Sequence, residues 1–197
     1  CCIACGNPIF LKLASMTPMT AMRLNELLYE AGLPKGVVNL VTCSRVEADI
    51  FLKHPDVKGI TFVGSTKVGL HVYKEASATG KRVQALCEAK NHALVLEDAA
   101  LERSARGIIN SSFGCAGERC MALPVVVAQE SIADKLVALL KQYASELKLG
   151  PAYCPESTLG PVVTAEHKQS VINWINKGIE EGATVVLDGR DAVVPGF

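Results

Sequence analysis

Val57-Lys58-Gly59-Ile60-Thr61-Phe62-Val63-Gly64-Ser65-Thr66-Lys67-Val68-Gly69 is the stretch that decides the fold. Val57 to Val63 reads as a strand. At Gly64-Ser65 the apolar period changes to that of a helix, which runs to about Ala76. The same switch recurs on both sides. Pro8 to Leu13 is a strand, and Thr17-Pro18 supplies an N-cap and a first-turn proline. Met19, Met22, Leu24, Leu27 and Leu28 then keep helical spacing until Gly32 and Pro34. Val37–Val41 is a strand, Val46–Leu52 a short helix, and Arg82–Cys87 a further strand. Strands alternating with helices predict α/β architecture, with a parallel sheet covered on both faces. Ligands of such sheets sit at the carboxyl ends of the strands. Gly64 and Ser65 lie at such an end and open a helix, whose free N–H groups suit a phosphate. The same dipeptide also serves as a plain turn with an N-cap, and both readings stand at this point.

The pattern shifts near Ala89. Ala93–Leu96 reads as a strand, Ala99–Ser112 as a helix, Leu123–Ala128 as a strand and Ser131–Leu147 as a long amphipathic helix. A loop with Gly150-Pro151 and Gly160-Pro161 follows. Thr164 caps a helix to about Glu181, and Ala183–Leu187 reads as a last strand. The expected division is 1–88 and 89–197, each an α/β unit.

Composition narrows the function classes. The chain has 197 residues, 49% hydrophobic and 20% charged, with mean hydropathy +0.26. It is too apolar for a disordered chain. Twenty basic residues balance twenty acidic ones, which argues against nucleic acid as the main partner. No run approaches the ~18 apolar residues of a membrane helix, and Cys1 to Asn7 lack the basic region of a signal peptide. Eight cysteines are too few for a disulfide scaffold of this length, and reduced intracellular thiols are expected. Cys2-x-x-Cys5 is half a metal pattern with no second half, so no metal is expected. Small buried hydrophobes on a strand are the plainer reading.

Phe113-Gly114-Cys115-Ala116-Gly117-Glu118-Arg119-Cys120 lies between a helix and a strand. Its glycines allow a loop that brings a thiol tightly against a ligand. At a reference pKa of about 8.5 only a few per cent of a thiol is ionised at pH 7. Arg119 beside Cys120 favours the thiolate, and Glu118 opposes it if turned inward. A buried structural cysteine is the competing reading.

These residues carry a resemblance. Phe-Gly-x-Ala-Gly-x-Arg-Cys, preceded by Phe-Val-Gly-Ser-Thr-x-x-Gly and by Leu-Lys…Thr-Pro-Met-Thr, resembles the aldehyde dehydrogenase superfamily. Ala89-Lys90-Asn91-His92-Ala93, Arg119 to Leu123, Thr158 to Val162, and Glu181-Gly182-Ala183…Leu187-Asp188-Gly189-Arg190 resemble its CoA-acylating methylmalonate-semialdehyde (malonate-semialdehyde) branch. The resemblance implies the later part of a Rossmann-like coenzyme domain (1–88), then the early part of the catalytic α/β domain (89–197). It implies NAD-dependent oxidation of a 3-oxo acid semialdehyde to acetyl-CoA or propanoyl-CoA with decarboxylation. Cys120 matches the nucleophile, its N–H part of the oxyanion site, and Arg119 the grip on the substrate carboxylate. Lys12 matches the contact to the adenosine ribose. Gly64, Ser65 and Gly69 match the pyrophosphate turn. The branch also implies NAD, CoA as co-substrate, a homo-oligomeric parent and a role in valine breakdown. Its setting is the mitochondrial matrix in a eukaryote or the cytoplasm in a bacterium.

The sequence departs from that pattern in four places. Leu86 stands where hydrolytic members carry a general-base Glu, which disfavours water and leaves CoA as acyl acceptor. Glu88 replaces a usual glycine and Glu118 a usual Gln. Ser15 replaces a Glu that repels a 2′-phosphate, so NADP tolerance is expected beside NAD. The Asn completing the oxyanion site is expected before Cys1, and the nicotinamide-ribose anchor and oligomerisation strands after Phe197. The apolar excess fits faces left uncovered. A hydrolytic dehydrogenase and a catalytically inactive nucleotide or partner binder are the rival readings.

Overall fold

The computed structural model describes residues 2–194, and the chain divides into two compact units between Glu88 and Ala89. The first unit opens with a single 3₁₀ turn, Ile3–Cys5, closed by Gly6 at φ 74° with its N–H on the Ile3 carbonyl at 2.9 Å. Cys2 and Cys5 are therefore exposed turn residues, not the buried strand positions the sequence suggested. A backbone that turns back on itself within three residues has no extended edge to pair. Cys1 lies outside the described residues.

Strand β1 (Ile9–Lys12) leads into helix α1 (Met19–Glu30) and returns as β2 (Val38–Val41). The strands pair in parallel, Ile9 opposite Val38 and Lys12 opposite Val41, as a helical crossover requires. Pro18 already has helical backbone angles, and no side chain caps α1, so the proline rather than a Thr17 cap starts it. Next, Ser44 and Glu47 exchange side-chain to backbone bonds at 2.7 and 3.2 Å, a capping box. The turn behind it closes three-residue bonds at Val46, Glu47 and Ala48, so helix α2 spans Asp49–Lys53 and starts later than its apolar pattern implies.

Strand β3 (Gly59–Val63), helix α3 (Thr66–Ala78) and strand β4 (Arg82–Leu86) complete this unit. β3 and β4 are parallel, with Val63 opposite Leu86. Both strands alternate, so one face carries Ile60, Phe62 and Val83 onto a core of Leu52, Val72 and Ala76. A fully buried Leu or Val contributes about 1.5–3 kcal/mol. The opposite face carries Val63 at 66% and Leu86 at 51% exposure. The single sheet expected of this unit, covered on both faces, is thus two separate two-stranded parallel ladders, β1 with β2 and β3 with β4, and on the latter only one face meets helices among the described residues.

In the second unit β5 (His92–Val95) leads into helix α4 (Leu101–Phe113), then β6 (Val125–Ala128), helix α5 (Glu130–Ser145) and helix α6 (Ala165–Glu180). β5 and β6 are parallel, His92 opposite Val125. Val95, Ala105, Ile108, Ile109, Ile132, Leu136 and Tyr143 form the core. Arg106 lies 4.1 Å over the Tyr143 ring, a cation–π contact that holds α4 to α5. Thr164 caps α6 as its sequence implies, accepting the His167 N–H at 3.1 Å. Residues 183–187 form no strand. Val185, Val186 and Leu187 are exposed, and among the described residues no neighbouring strand offers them N–H and C=O groups. β-pattern alone cannot make a ladder. No described helix is long and apolar enough to cross a membrane.

Candidate active site

Lys12 and Ser15 stand exposed at the carboxyl end of β1, where a parallel pair presents ligand positions. The Lys12 ammonium donates to the Leu13 carbonyl at 3.1 Å. Gly64 and Ser65 are exposed at the carboxyl end of β3, and Gly69 is buried one turn into α3. Among the described residues no hydrogen bond joins Lys12 or Ser15 to Gly64, Ser65 or Gly69.

The two glycines have a packing reason that the motif did not reveal. A Cβ on Gly64 would lie 2.6 Å from the Phe62 ring. A Cβ on Gly69 would strike the Cys87 sulfur and lie 3.5 Å from the same ring. Phe62 therefore folds between them, and β4 runs close over α3. Gly64 N–H also reaches the Leu86 carbonyl at 3.2 Å. This crossing brings Glu88 to the start of α3, where the Thr66 hydroxyl, and next the Thr66 N–H, hold its carboxyl below the usual carboxylate range. Ser65 itself makes no side-chain cap. The Lys67 and Val68 N–H groups have no backbone acceptor among the described residues, which leaves donors for an anion. Glu88 already puts a negative charge beside them.

The second unit builds the thiol loop. After α4 the chain turns through Gly114–Gly117 with Cys115 at φ 52°, Ala116 at φ 54° and Gly117 at φ 76°. Two consecutive L residues in the left-handed region cost on the order of 1–2 kcal/mol each, so surrounding bonds must hold them. Arg119 supplies one set. Its Nη2 donates to the carbonyls of Asn110 and Ser111 at 3.0 and 3.2 Å. These are last-turn carbonyls of α4, where a cation is favoured. Gly114 makes room, since a Cβ there would lie 2.8 Å from the guanidinium carbon. Arg119 Nε is buried with no partner, and Nη1 donates to nothing among the described residues. Glu118 supplies another set: it accepts the Val163 N–H at 3.2 Å and lies 3.2 Å from His167 Nε2. It is thereby tied to the start of α6.

Cys120 is exposed and free. Its N–H has no acceptor among the described residues, while its carbonyl accepts Asn91 Nδ2 at 2.9 Å. Sequence reasoning placed Asn91 in a family motif without a role, and it missed Ser111, Ser112 and His167. Their only signal is polarity beside a loop, which surface residues share. Among the described residues no three His, Cys, Asp or Glu gather as a metal site.

An aldehyde dehydrogenase family model matches residues 1–196. Malonate-semialdehyde dehydrogenase 1 of Geobacillus thermodenitrificans strain NG80-2 is 54% identical over 195 residues, covering 98% of this chain and 40% of the relative. Methylmalonate-semialdehyde dehydrogenase from Oceanimonas doudoroffii superposes with TM-score 0.93 at 43% identity, covering 98% of this chain and 40% of that one. A Sinorhizobium meliloti 1021 protein, described as a methylmalonate-semialdehyde dehydrogenase and solved with NAD, gives TM-score 0.93 at 42% identity. It is matched over 99% of this chain and 40% of its own. The chain thus spans about 40% of the length of the relatives it matches.

Proposed function

The chain belongs to the aldehyde dehydrogenase family, and from that premise we propose that it supplies the nucleophile and part of the coenzyme site of an NAD-dependent, CoA-acylating semialdehyde dehydrogenase. The observation that carries this reading is Cys120: an exposed thiol on a residue whose carbonyl is bonded and whose N–H is free. A free N–H beside a thiolate suits the oxygen of a tetrahedral adduct. Cys120 adds to the aldehyde carbon, and that oxygen takes the negative charge. Loss of a hydride from the same carbon leaves a thioester on Cys120. The thiol of CoA then takes the acyl group and frees Cys120.

NAD, when bound, supplies the hydride acceptor. Lys12 and Ser15 would hold its ribose side, and the start of α3 with Gly64 and Ser65 its pyrophosphate. The free Lys67 and Val68 N–H groups fit an anion there, with Glu88 as a competitor. The relative solved with NAD supports this coenzyme. Ser15, in place of an acidic residue, supports tolerance of NADP. Arg119 would meet the substrate carboxylate through Nη1, since Nη2 is engaged on α4.

Leu86 supports CoA over water as the acyl acceptor, because a hydrocarbon side chain neither deprotonates nor orients water. Malonate or methylmalonate semialdehyde is the substrate class: the carboxylate beside the new thioester leaves as CO2, the carbon it leaves takes up a proton, and the shortened acyl group remains on Cys120 until CoA accepts it. The named relatives are bacterial, which supports a cytoplasmic setting over a mitochondrial one. The parent's homo-oligomeric assembly rests on the family resemblance alone.

Product analysis of the full-length protein tests this reading. Acyl-CoA formation that requires CoA is expected. Free acid formed at an equal rate without CoA would favour the hydrolytic reading. The departures at Leu86, Glu88 and Glu118, with the Glu88 charge beside the start of α3, favour an inactive binder, and absence of any dehydrogenase activity in the presence of CoA would favour that reading.

A further inference from the structure

Residues 120–123 connect the thiol loop to β6 and lie outside the ladder, which starts at the His92–Val125 pair. Packing does little to hold them, since Cys120 is exposed, Met121 is 72% exposed, and only Ala122 is buried. Behind them, the left-handed Cys115 and Ala116 would relax if released.

Yet four successive carbonyls of this segment each accept a side-chain bond. Asn91 Nδ2 donates to the Cys120 carbonyl at 2.9 Å and to the Ala122 carbonyl at 2.8 Å. Ser111 Oγ donates to Met121 at 3.3 Å and Ser112 Oγ to Leu123 at 2.5 Å. The two serines come from the last turn of α4. Asn91 comes from the residue before β5, a strand anchored by the buried Val95. A single amide reaching two carbonyls two residues apart fixes both peptide planes. The Cys120 Cα belongs to the first of them, so Asn91 sets where the carbon that carries the thiol side chain stands.

We propose that Asn91 is a positioning residue for the nucleophile: its side-chain amide clamps the Cys120 and Ala122 carbonyls, fixing the Cα from which the thiol projects. The proposal rests on the reading of Cys120 as nucleophile. Asn91 touches no reacting atom. It replaces the packing that this exposed segment lacks, with the serines as secondary ties.

The test uses the full-length protein with malonate semialdehyde, NAD and CoA, and compares Asn91→Ala, Asn91→Asp and Cys120→Ala. Asn91→Ala should lower kcat at least tenfold, with dinucleotide Kd changed less than twofold. Asn91→Asp keeps the shape but turns an acceptor toward two carbonyls, so it should be as impaired at neutral pH. Its kcat relative to the unaltered protein should recover toward acid pH, where a protonated Asp regains an O–H donor. The Asn91→Ala ratio should stay flat with pH. Iodoacetamide labelling followed peptide by peptide adds a second readout: Cys120 reactivity should change at least threefold while Cys154, in the same unit, holds constant. Unchanged kcat in Asn91→Ala, or Cys120 and Cys154 loosening together, would overturn the positioning role. An active Cys120→Ala would instead remove the nucleophile reading, and this proposal with it. A dead Cys120→Ala beside a fully active Asn91→Ala would remove the proposal alone.

Discussion

The two units hold their candidate residues by opposite means. In residues 1–88 the turn after β3 is set by main-chain register: Val63 opposite Leu86, the Gly64 N–H on Leu86, and two glycines closed around Phe62. Side chains at that turn are exposed and make few bonds. In residues 89–197 the thiol loop belongs to no ladder, and Asn91, Ser111, Ser112, Glu118 and Arg119 hold it by side-chain bonds to backbone. A backbone-built site tolerates side-chain change but not a Cβ at the wrong glycine. A side-chain-built site fails one substitution at a time.

The largest effect tests that contrast at the thiol. Cys120→Ala in the full-length protein should lower aldehyde oxidation by roughly a thousandfold or more while dinucleotide binding is kept, because covalent capture precedes oxidation. Steady-state rates and a binding titration check it. A dead Cys115→Ala beside an active Cys120→Ala would move the nucleophile to the left-handed loop.

Next comes the core of the second unit. Leu136 is 1% exposed, and Leu136→Ala should cost about 2–5 kcal/mol. Denaturant unfolding should show the loss confined to the transition of the second unit. An equal shift in a probe of the first unit, such as quenching at Tyr73, would mean the units do not unfold separately.

A comparable but more specific loss is expected at Arg119. Arg119→Leu removes two bonds to α4 carbonyls, at about 1–3 kcal/mol of stability. It should also impair carboxylate-bearing semialdehydes far more than propanal, by on the order of 2–5 kcal/mol in kcat/KM. Equal impairment of both substrates would leave Arg119 as a tie to α4 and nothing more.

Much of this organisation is legible in the sequence. Period switches locate all six strands of the ladders and the long helices, because amphipathic spacing is a local property. The boundary after Glu88 sits where composition and pattern change. The strand read at Ala183–Leu187 is absent, since pairing depends on a partner that no local pattern encodes. The same limit hides Asn91, whose importance comes from carbonyls 29 and 31 residues away. The left-handed Cys115 and Ala116 carry no glycine to announce them. In the sequence Gly64 points to a phosphate turn and Gly69 only to a family pattern, and their contacts with Phe62 and Cys87 arise only once β4 crosses α3.

Smaller effects belong to the first unit. Glu88→Gln should tighten dinucleotide binding a few-fold at pH 7 by removing a negative charge from the start of α3. Because Thr66 depresses the Glu88 pKa in the folded chain, the carboxylate's bonds are fully present above its ordinary value of about 4.3. They are lost as pH falls through the lowered value. The advantage of Glu88→Gln should therefore shrink as a titration is carried into acid, and an advantage independent of pH would contradict the contact. Smallest is Ser15→Glu, expected to raise the ratio of NAD to NADP affinity several-fold. No change in that ratio would remove Ser15 from the coenzyme site.

The most direct test of the account is to trap the acyl group. Full-length protein is mixed with malonate semialdehyde and NAD in the absence of CoA, quenched, digested and read by peptide mass. An acetyl group on the peptide bearing Cys120, lost with formation of acetyl-CoA when CoA is added, is the predicted result. An acyl group on Cys115, or release of free acetate that CoA does not alter, would contradict it.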